Sequence, residues 1–488
     1  MAQSLRKEVF NGLIWSFVER FSGQLIGFVA IVVMSRLLSQ AEYGLVGMIM
    51  IFIDIAQGLV DSGVSQALIR KQDRNAVDSS TAFYFNLVIS VALYLILYFG
   101  APLIASFYGQ PELIPLVRVV SLSILINAFV VVQKALLSVN IDFKTQTKAS
   151  VSGAVVSGIV GISLAAFGFG VWSIVAFQLS NFLVTGILIW LYSTWRPIWR
   201  FSYASFKSMY RFGINLTLAG ILNTIYKDLY LVIIGKIYKA SALGAYTRAH
   251  QFAALPSSNI NNIIIRVAYP VLCRYQNDRA QLADKFMHLI RLTAFAVIPM
   301  MTGLAVLATP LVEALMGEKW HLAGTLLTIM SFSLMWIPMD SLNVTMLQVL
   351  GRTDLFLRIE VIKKVIGIAI IAGSVPFGLY AMCCGQVLCQ IIVLAIDCYY
   401  TWKYLRYGFW RQIKAISSTI FYTIVMAVVI MLSTYWIEGD WLRVIIGTAS
   451  GILCYVMCAY ISRSNELKEL RSLIHRDHRL NHSEITED

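Results

Sequence analysis

Charged and polar residues set inside long apolar runs are the ones in this chain whose types and spacing could do chemistry. Asp54, Gln57, Asp61 and Ser65 follow at intervals of three, four and four, which puts them on one face of a helix. Arg248, Gln251, Ser258, Asn262 and Arg266 form a second stripe. Asn215, Asn223, Lys227 and Tyr230 form a third, and Ser16, Arg20, Gln24 and Gly27 a fourth. A charge at mid-bilayer costs about 2.5–3.5 kcal/mol on the mildest scale, so it normally faces protein or a wet cavity. Four such stripes facing one another would line a polar cavity. Asp54 and Asp61, by their depth and shared face, are candidates for proton or sodium coupling. A plainer alternative stays open: Glu19 with Arg20, or Lys227 with Asp228, neutralised locally, and Asp61 holding two helices together. Neighbours on a helix point about 100° apart, so such self-pairing is imperfect. Arg118, Lys134, Asp340 and Asp397 are isolated charges elsewhere in the apolar runs.

Other chemistries find no constellation. The histidines are His250, His288, His321, His475, His478 and His482. The last three lie in "HRDHRLNH", which reads as a solvated tail and not as a metal site. No phosphate-cradling Gly-Lys-Ser/Thr loop is present, so ATP use by this chain is not expected. The seven cysteines sit in or at the ends of apolar runs and read as small packing residues. The expectation is a protein that is not an enzyme and needs no cofactor or metal. Any transport would draw on a proton or sodium gradient, on substrate supply or on a partner.

The elements that position these residues follow from composition. The chain has 488 residues, of which 58% are hydrophobic and only 13% charged, against about a quarter charged in soluble domains. Apolar runs of about twenty residues recur from end to end, which is the pattern of transmembrane helices. The alternating segments of a membrane β-barrel are missing. Fourteen spans are predicted, near 12–35, 44–69, 80–105, 114–138, 149–168, 171–193, 210–234, 243–268, 287–311, 323–349, 360–376, 378–402, 414–434 and 441–461. The start of the chain lacks a cleavable signal pattern and reads as retained, with the first span beginning near Gly12. Basic residues crowd one set of loops, among them Arg70, Lys71, Arg74, Lys144, Lys148, Arg196, Arg200, Lys207, Arg274 and Arg352. The alternate loops hold little beyond Arg36, Lys236, Lys239, Lys319 and Arg443. The positive-inside rule then places both termini in the cytoplasm. The net charge of +13 reflects this topology, and nucleic acid is not an expected partner.

Echoes along the chain point to duplication. Tyr43-Gly44 matches Leu243-Gly244 at an offset of 200, while Phe107–Gly109 matches Leu315–Gly317 and Phe169–Ser173 matches Phe377–Ala381, both at 208. The repeat is six spans, so both copies keep one orientation and are expected to be related by a pseudo-twofold along the membrane normal. The expected organisation is an N-terminal lobe over 1–193, a cytoplasmic linker over 194–209, a C-terminal lobe over 210–404, two extra helices over 405–462 and a charged cytoplasmic tail over 463–488. The fold class is thus an all-α integral membrane protein.

The run from Gly12 to Lys71, with its "SRLLSQAEYGLVGM" turn and the following "DSGVSQALIRK", resembles the N-terminal region of Wzx-type polysaccharide transporters. These belong to the multidrug/oligosaccharidyl-lipid/polysaccharide exporter superfamily. "LGRTDLFLRIE", Leu350 to Glu360, is similar to that family's link between spans ten and eleven. The resemblance implies two six-helix lobes around a central cavity and flipping of a polyprenyl-pyrophosphate-linked oligosaccharide across the bacterial inner membrane. The product would feed lipopolysaccharide O-antigen, capsule or exopolysaccharide assembly, with a glycan polymerase and chain-length machinery as possible partners. On the same resemblance, Arg20, Lys227 and Arg248 are the candidates for holding the pyrophosphate. The sugar is placed among Gln24, Gln57, Asn215, Asn223, Gln251 and Asn262. Span two offers Asp54 and Asp61 where related flippases use a basic residue. The alternatives are a cation-coupled multidrug exporter on the same fold and a non-transporting scaffold of a glycan-assembly complex.

Overall fold

The computed structural model describes residues 2–61, 64–71 and 73–469. The tail from 470 onward, with His475, His478 and His482, lies outside the described residues, as do the side chains of Arg20, Asp61 and Asn215. Among the described residues all regular structure is helical, and the chain divides into two compact units, Met1–Thr247 and Arg248–Asp488.

The first unit contains α1 (Ala2–Leu37), α2 (Gln40–Asp61), α3 (Val64–Arg70), α4 (Ala76–Tyr108), α5 (Leu113–Val120), α6 (Leu122–Val139), α7 (Phe143–Ala166), α8 (Val171–Tyr192), α9 (Tyr203–Ile237) and the first turns of α10 (Ala240–Arg274). The polar patch between α1 and α2 is a helix start. Ser39 and Glu42 form a capping box, in which Glu42 Oε2 accepts from the Ser39 N–H at 2.6 Å and Ser39 Oγ accepts from the Glu42 N–H at 3.3 Å. Asn75 and Asp78 close a second such box at the start of α4, and Asp142 caps α7 through Thr145. α7 packs on α1 and α8, burying the small residues Ala149, Ala154, Ser157 and Ala165, which lets the helices approach closely. α9 packs on α2, α3 and α4. The stretch between α8 and α9 is stitched to the first turns of α4: Ser80 Oγ accepts from the Ile198 N–H at 2.9 Å and Thr81 Oγ1 from the Ser202 N–H at 3.0 Å. Phe83 fills the space beneath it against Trp190 and Trp195.

The second unit continues α10 and adds α11 (Arg279–Val306), α12 (Ala308–Met316), α13 (His321–Leu334), α14 (Ile337–Val349), α15 (Thr353–Ser374), α16 (Leu379–Leu405), α17 (Phe409–Ala415), α18 (Ser417–Tyr435) and α19 (Asp440–Ile461). A single 3-10 turn, Glu318–Trp320, joins α12 to α13 and buries Trp320 completely. α18 and α19 pair and lie against α11 and α12. α14, α16 and α17 are tied by a closed amide network. Asn343 Nδ2 donates to Gln412 Oε1 at 3.1 Å, Gln412 Nε2 donates back to Asn343 Oδ1 at 2.9 Å, and Thr401 Oγ1 donates to the same oxygen at 2.7 Å.

Each predicted span falls on helix among the described residues, and ten helical stretches there are long and apolar enough to cross a membrane. Within α1, a helix of 36 residues, Phe21–Leu37 is a shorter apolar stretch among the described residues.

Candidate functional site

In the first unit the structure brings Asp54 together with Lys227 and Asp228. α9 lies along α2, and Asp54 on α2 is within electrostatic reach of both residues on α9. Asp228 is 3% exposed, and its Oδ2 has no hydrogen-bond partner among the described residues. Lys227, one residue earlier, is exposed, so the adjacent pair divides into a buried carboxylate and an accessible ammonium. One turn beyond Lys227, Tyr230 stacks on Tyr246 with ring centroids 6.3 Å apart and planes 9° from parallel. Gln57, one turn below Asp54, is half-buried and donates to Ser123 Oγ at 3.4 Å. Gln24 is half-buried and Asn223 exposed. Glu19 accepts from Ser150 Oγ at 2.8 Å, so α7 supplies it with a partner. Ser65 stands on α3, beyond residues 62 and 63, which lie outside the described residues.

In the second unit Arg248 is half-buried and donates from Nη1 to Gln251 Oε1 at 2.6 Å, along one face of α10. Asn262 is exposed further along the same helix. Pro256 lies between them inside α10, where its missing N–H removes one rung of the helix ladder. The next residue restores a tie, with Ser257 Oγ donating to the Leu334 carbonyl at 2.7 Å. A cavity of about 560 Å³ opens beside α11, α12, α18 and α19, with an apolar lining that includes Phe295, Pro299, Leu307, Met426, Ile430 and Ile452. Its chemistry suits a hydrocarbon chain.

Two features were not visible in the spacing. One is Asp228 as a buried member of the Asp54 group, hidden because Lys227 immediately precedes it and the two look self-neutralising. The other is Lys363, which sits in a buried carboxylate cluster with the two isolated aspartates Asp340 and Asp397.

Similar proteins bear names from one area of biology. The chain is 25% identical to the teichuronic acid biosynthesis protein TuaB of Bacillus subtilis over 93% of its length and 95% of that protein. It is 25% identical to the lipopolysaccharide biosynthesis protein WzxC of Escherichia coli over 80% of each chain. It is 26% identical to the succinoglycan biosynthesis transport protein ExoT of Rhizobium meliloti over 67% of its length and 66% of that protein. Among solved structures, the lipid II flippase MurJ in an inward closed conformation superposes with a TM-score of 0.75 at 17% identity, covering 95% of this chain and all of that one. An inward-facing multidrug resistance MATE transporter of the MOP superfamily gives 0.60 at 18% identity, covering 83% of this chain and 98% of that one. These likenesses establish the fold. A sequence model described as "Polysaccharide biosynthesis protein" matches residues 33–325. That match spans more than half of the chain, and the chain belongs to this family of polysaccharide biosynthesis proteins.

Proposed function

We propose that this multi-pass membrane protein flips a polyprenyl-pyrophosphate-linked oligosaccharide from the inner to the outer leaflet of the bacterial inner membrane, feeding assembly of a surface polysaccharide. The observation that carries this reading is Lys227: an accessible ammonium within the 35-residue helix α9, beside Asp54 and Asp228. A pyrophosphate is the kind of ligand that would repay the desolvation of such a cation. Three relatives are named for teichuronic acid, lipopolysaccharide and succinoglycan, which supports a lipid-linked sugar as the cargo.

On this reading Lys227, Arg248 and Arg20 bind the pyrophosphate in turn or together. Gln24, Gln57, Asn215, Asn223, Gln251 and Asn262 contact the sugar, and the isoprenoid chain stays in hydrocarbon. Asp54 and Asp61 couple the cycle to a proton or sodium gradient. The excess of basic residues in one set of loops supports cytoplasmic termini. The chain acts as a carrier and not as an enzyme, and hands its cargo to a glycan polymerase and chain-length machinery.

The test is flipping of a fluorescent lipid-linked oligosaccharide by the purified protein in liposomes, read as loss of signal to a membrane-impermeant quencher or reductant. Flipping that falls at least tenfold in Lys227→Ala supports the reading. Efflux of cationic drugs without sugar-lipid flipping would favour the multidrug exporter. No transport of either kind, with intact binding to a polymerase, would favour the scaffold.

A further inference from the structure

The second unit holds a buried charge cluster that the stripes do not include. Lys363 stands on α15, three residues after Glu360, with a side chain 10% exposed. Its Nζ lies 2.9 Å from Glu360 Oε1, 2.9 Å from Asp397 Oδ2 on α16 and 3.6 Å from Asp340 Oδ2 on α14. Three carboxyl groups therefore share one ammonium. Their surroundings differ: the Glu360 side chain is 31% exposed, that of Asp340 is 16% exposed and that of Asp397 is fully buried. The two aspartates also lie within hydrogen-bonding reach of each other. Oδ1 of Asp340 and Oδ1 of Asp397 are both buried with no hydrogen-bond partner among the described residues. Buried polar atoms are almost always partnered, and an orphan pair marks a missing proton, water or ion.

The neighbouring groups do not supply what is missing. One helical turn away, Asn343, Thr401 and Gln412 are hydrogen-bonded to one another. The Cys398 thiol is next to Asp397 in sequence and feels the charges of both aspartates. α13 carries a single ionisable residue, His321 at its first position, bonded to Glu313 at 2.6 Å. Asp284, Lys285, His288 and Arg291 on α11, and Arg411 and Lys414 on α17, are not among the groups that act on Lys363 or Asp397.

Charge balance then decides the ligand. Asp340, Asp397 and Lys363 with both carboxyls ionised carry one net negative charge in a buried place, which is costly. One added proton makes the trio neutral and supplies the donor that two orphan oxygens lack. The remaining charge is that of Glu360, the most exposed of the three acids. A sodium ion fits less well, because the Lys363 ammonium already occupies the centre of the oxygens and would repel it. We propose that Asp340 and Asp397 hold one exchangeable proton between them beside Lys363, making this a proton-binding site that ties α14, α15 and α16. Its use in driving a transport cycle rests on the function proposed above; the binding of the proton does not.

The test is infrared difference spectroscopy of the full-length protein in lipid nanodiscs between acidic and alkaline buffers, without substrate. Wild type is expected to show the carbonyl band of a protonated carboxyl that vanishes at alkaline pH. The band is expected to be lost in Asp340→Asn and in Asp397→Asn and kept in Glu360→Gln. No band in wild type, or a band retained by either Asp variant, overturns the shared proton. Bleaching of the band by sodium at constant pH overturns it in favour of a metal cation. If Asp397→Asn does not fold, Asp340→Asn, at the more exposed of the two carboxyls, carries the test alone. Because no substrate is used, a negative result here is separate from any failure of flipping.

Discussion

Gly44 and Gly244 stand at matching places in the two repeats, and each lies against the backbone that begins the other's helix. A Cβ on Gly44 would fall 1.8 Å from the carbonyl oxygen of Ala240, and one on Gly244 would fall 1.9 Å from that of Gln40. Gln40 and Ala240 are the first residues of α2 and α10, each four residues before its glycine. The contact is thus reciprocal: residues separated by 200 positions exchange the same role. Only glycine permits two helix starts to cross at such a distance.

Any side chain at this crossing must push the two helices apart. Gly44→Ala and Gly244→Ala are each expected to destabilise the protein by about 1–3 kcal/mol or more, the usual cost of overpacking. Gly220→Ala, where an added Cβ meets nothing within 4 Å, is the control. Thermal unfolding in detergent followed by intrinsic fluorescence measures this. Equal melting temperatures for all three variants would contradict the close contact.

Lys227 is predicted to matter for transport more than for folding, since its side chain is exposed while Asp228 beside it is buried. A charge-assisted contact to a phosphate is worth about 1.5–3 kcal/mol, so Lys227→Ala should slow flipping by about tenfold to a hundredfold. Its melting temperature should stay near that of wild type. A variant that flips normally, or one that fails only because it does not fold, would remove Lys227 from the binding role.

The amide network of α14, α16 and α17 predicts the opposite pattern. Asn343→Ala leaves buried Gln412 Oε1 without its donor and reduces the Thr401 hydroxyl and Gln412 Nε2 to longer bonds, 3.2 Å each, to the Asp397 and Tyr407 carbonyls. Each buried group left unsatisfied costs about 1–3 kcal/mol, so a large loss of stability is expected. Thr434→Val is a suitable comparison, because that hydroxyl bonds only to carbonyls of its own helix. Urea or thermal titration of the two variants should separate them clearly.

At the start of α15 the Arg352 guanidinium grips Asp354 with two bonds, Nε to Oδ1 at 3.0 Å and Nη2 to Oδ2 at 2.9 Å. The bonds from Arg352 hold the Asp354 carboxyl down at about 2, below its ordinary 3.8. A depressed carboxylate contributes stability above the ordinary value, and that contribution is lost as pH falls through about 2. Both side chains are exposed, so the effect is small. Asp354→Asn should flatten the melting-temperature profile over that acid limb and leave it unchanged near neutral pH. A variant profile parallel to wild type throughout would show that the pair contributes nothing.

Much of the architecture is legible because hydropathy is local: each apolar run reports its own helix. The stripes are legible for the same reason, since spacing within one helix needs no partner. The meeting of Asp54 with Lys227 and Asp228 depends on α9 packing along α2, which no spacing encodes. Lys363 was invisible for a different reason. Beside Lys364 it resembles an ordinary charge at a membrane edge, and its buried partner Asp397 is 34 residues away.

The packing of α9 on α2, α3 and α4 has a consequence for how the protein comes to be made. The first six predicted spans end with α8, but the compact unit also takes in α9 and the start of α10. A ribosome that has finished α8 has therefore delivered one whole repeat and an incomplete unit. The face of α2 that α9 will cover waits in lipid until the next helix is inserted. Two fragments divided at 194–209 should each be degraded when expressed alone and reassemble when expressed together.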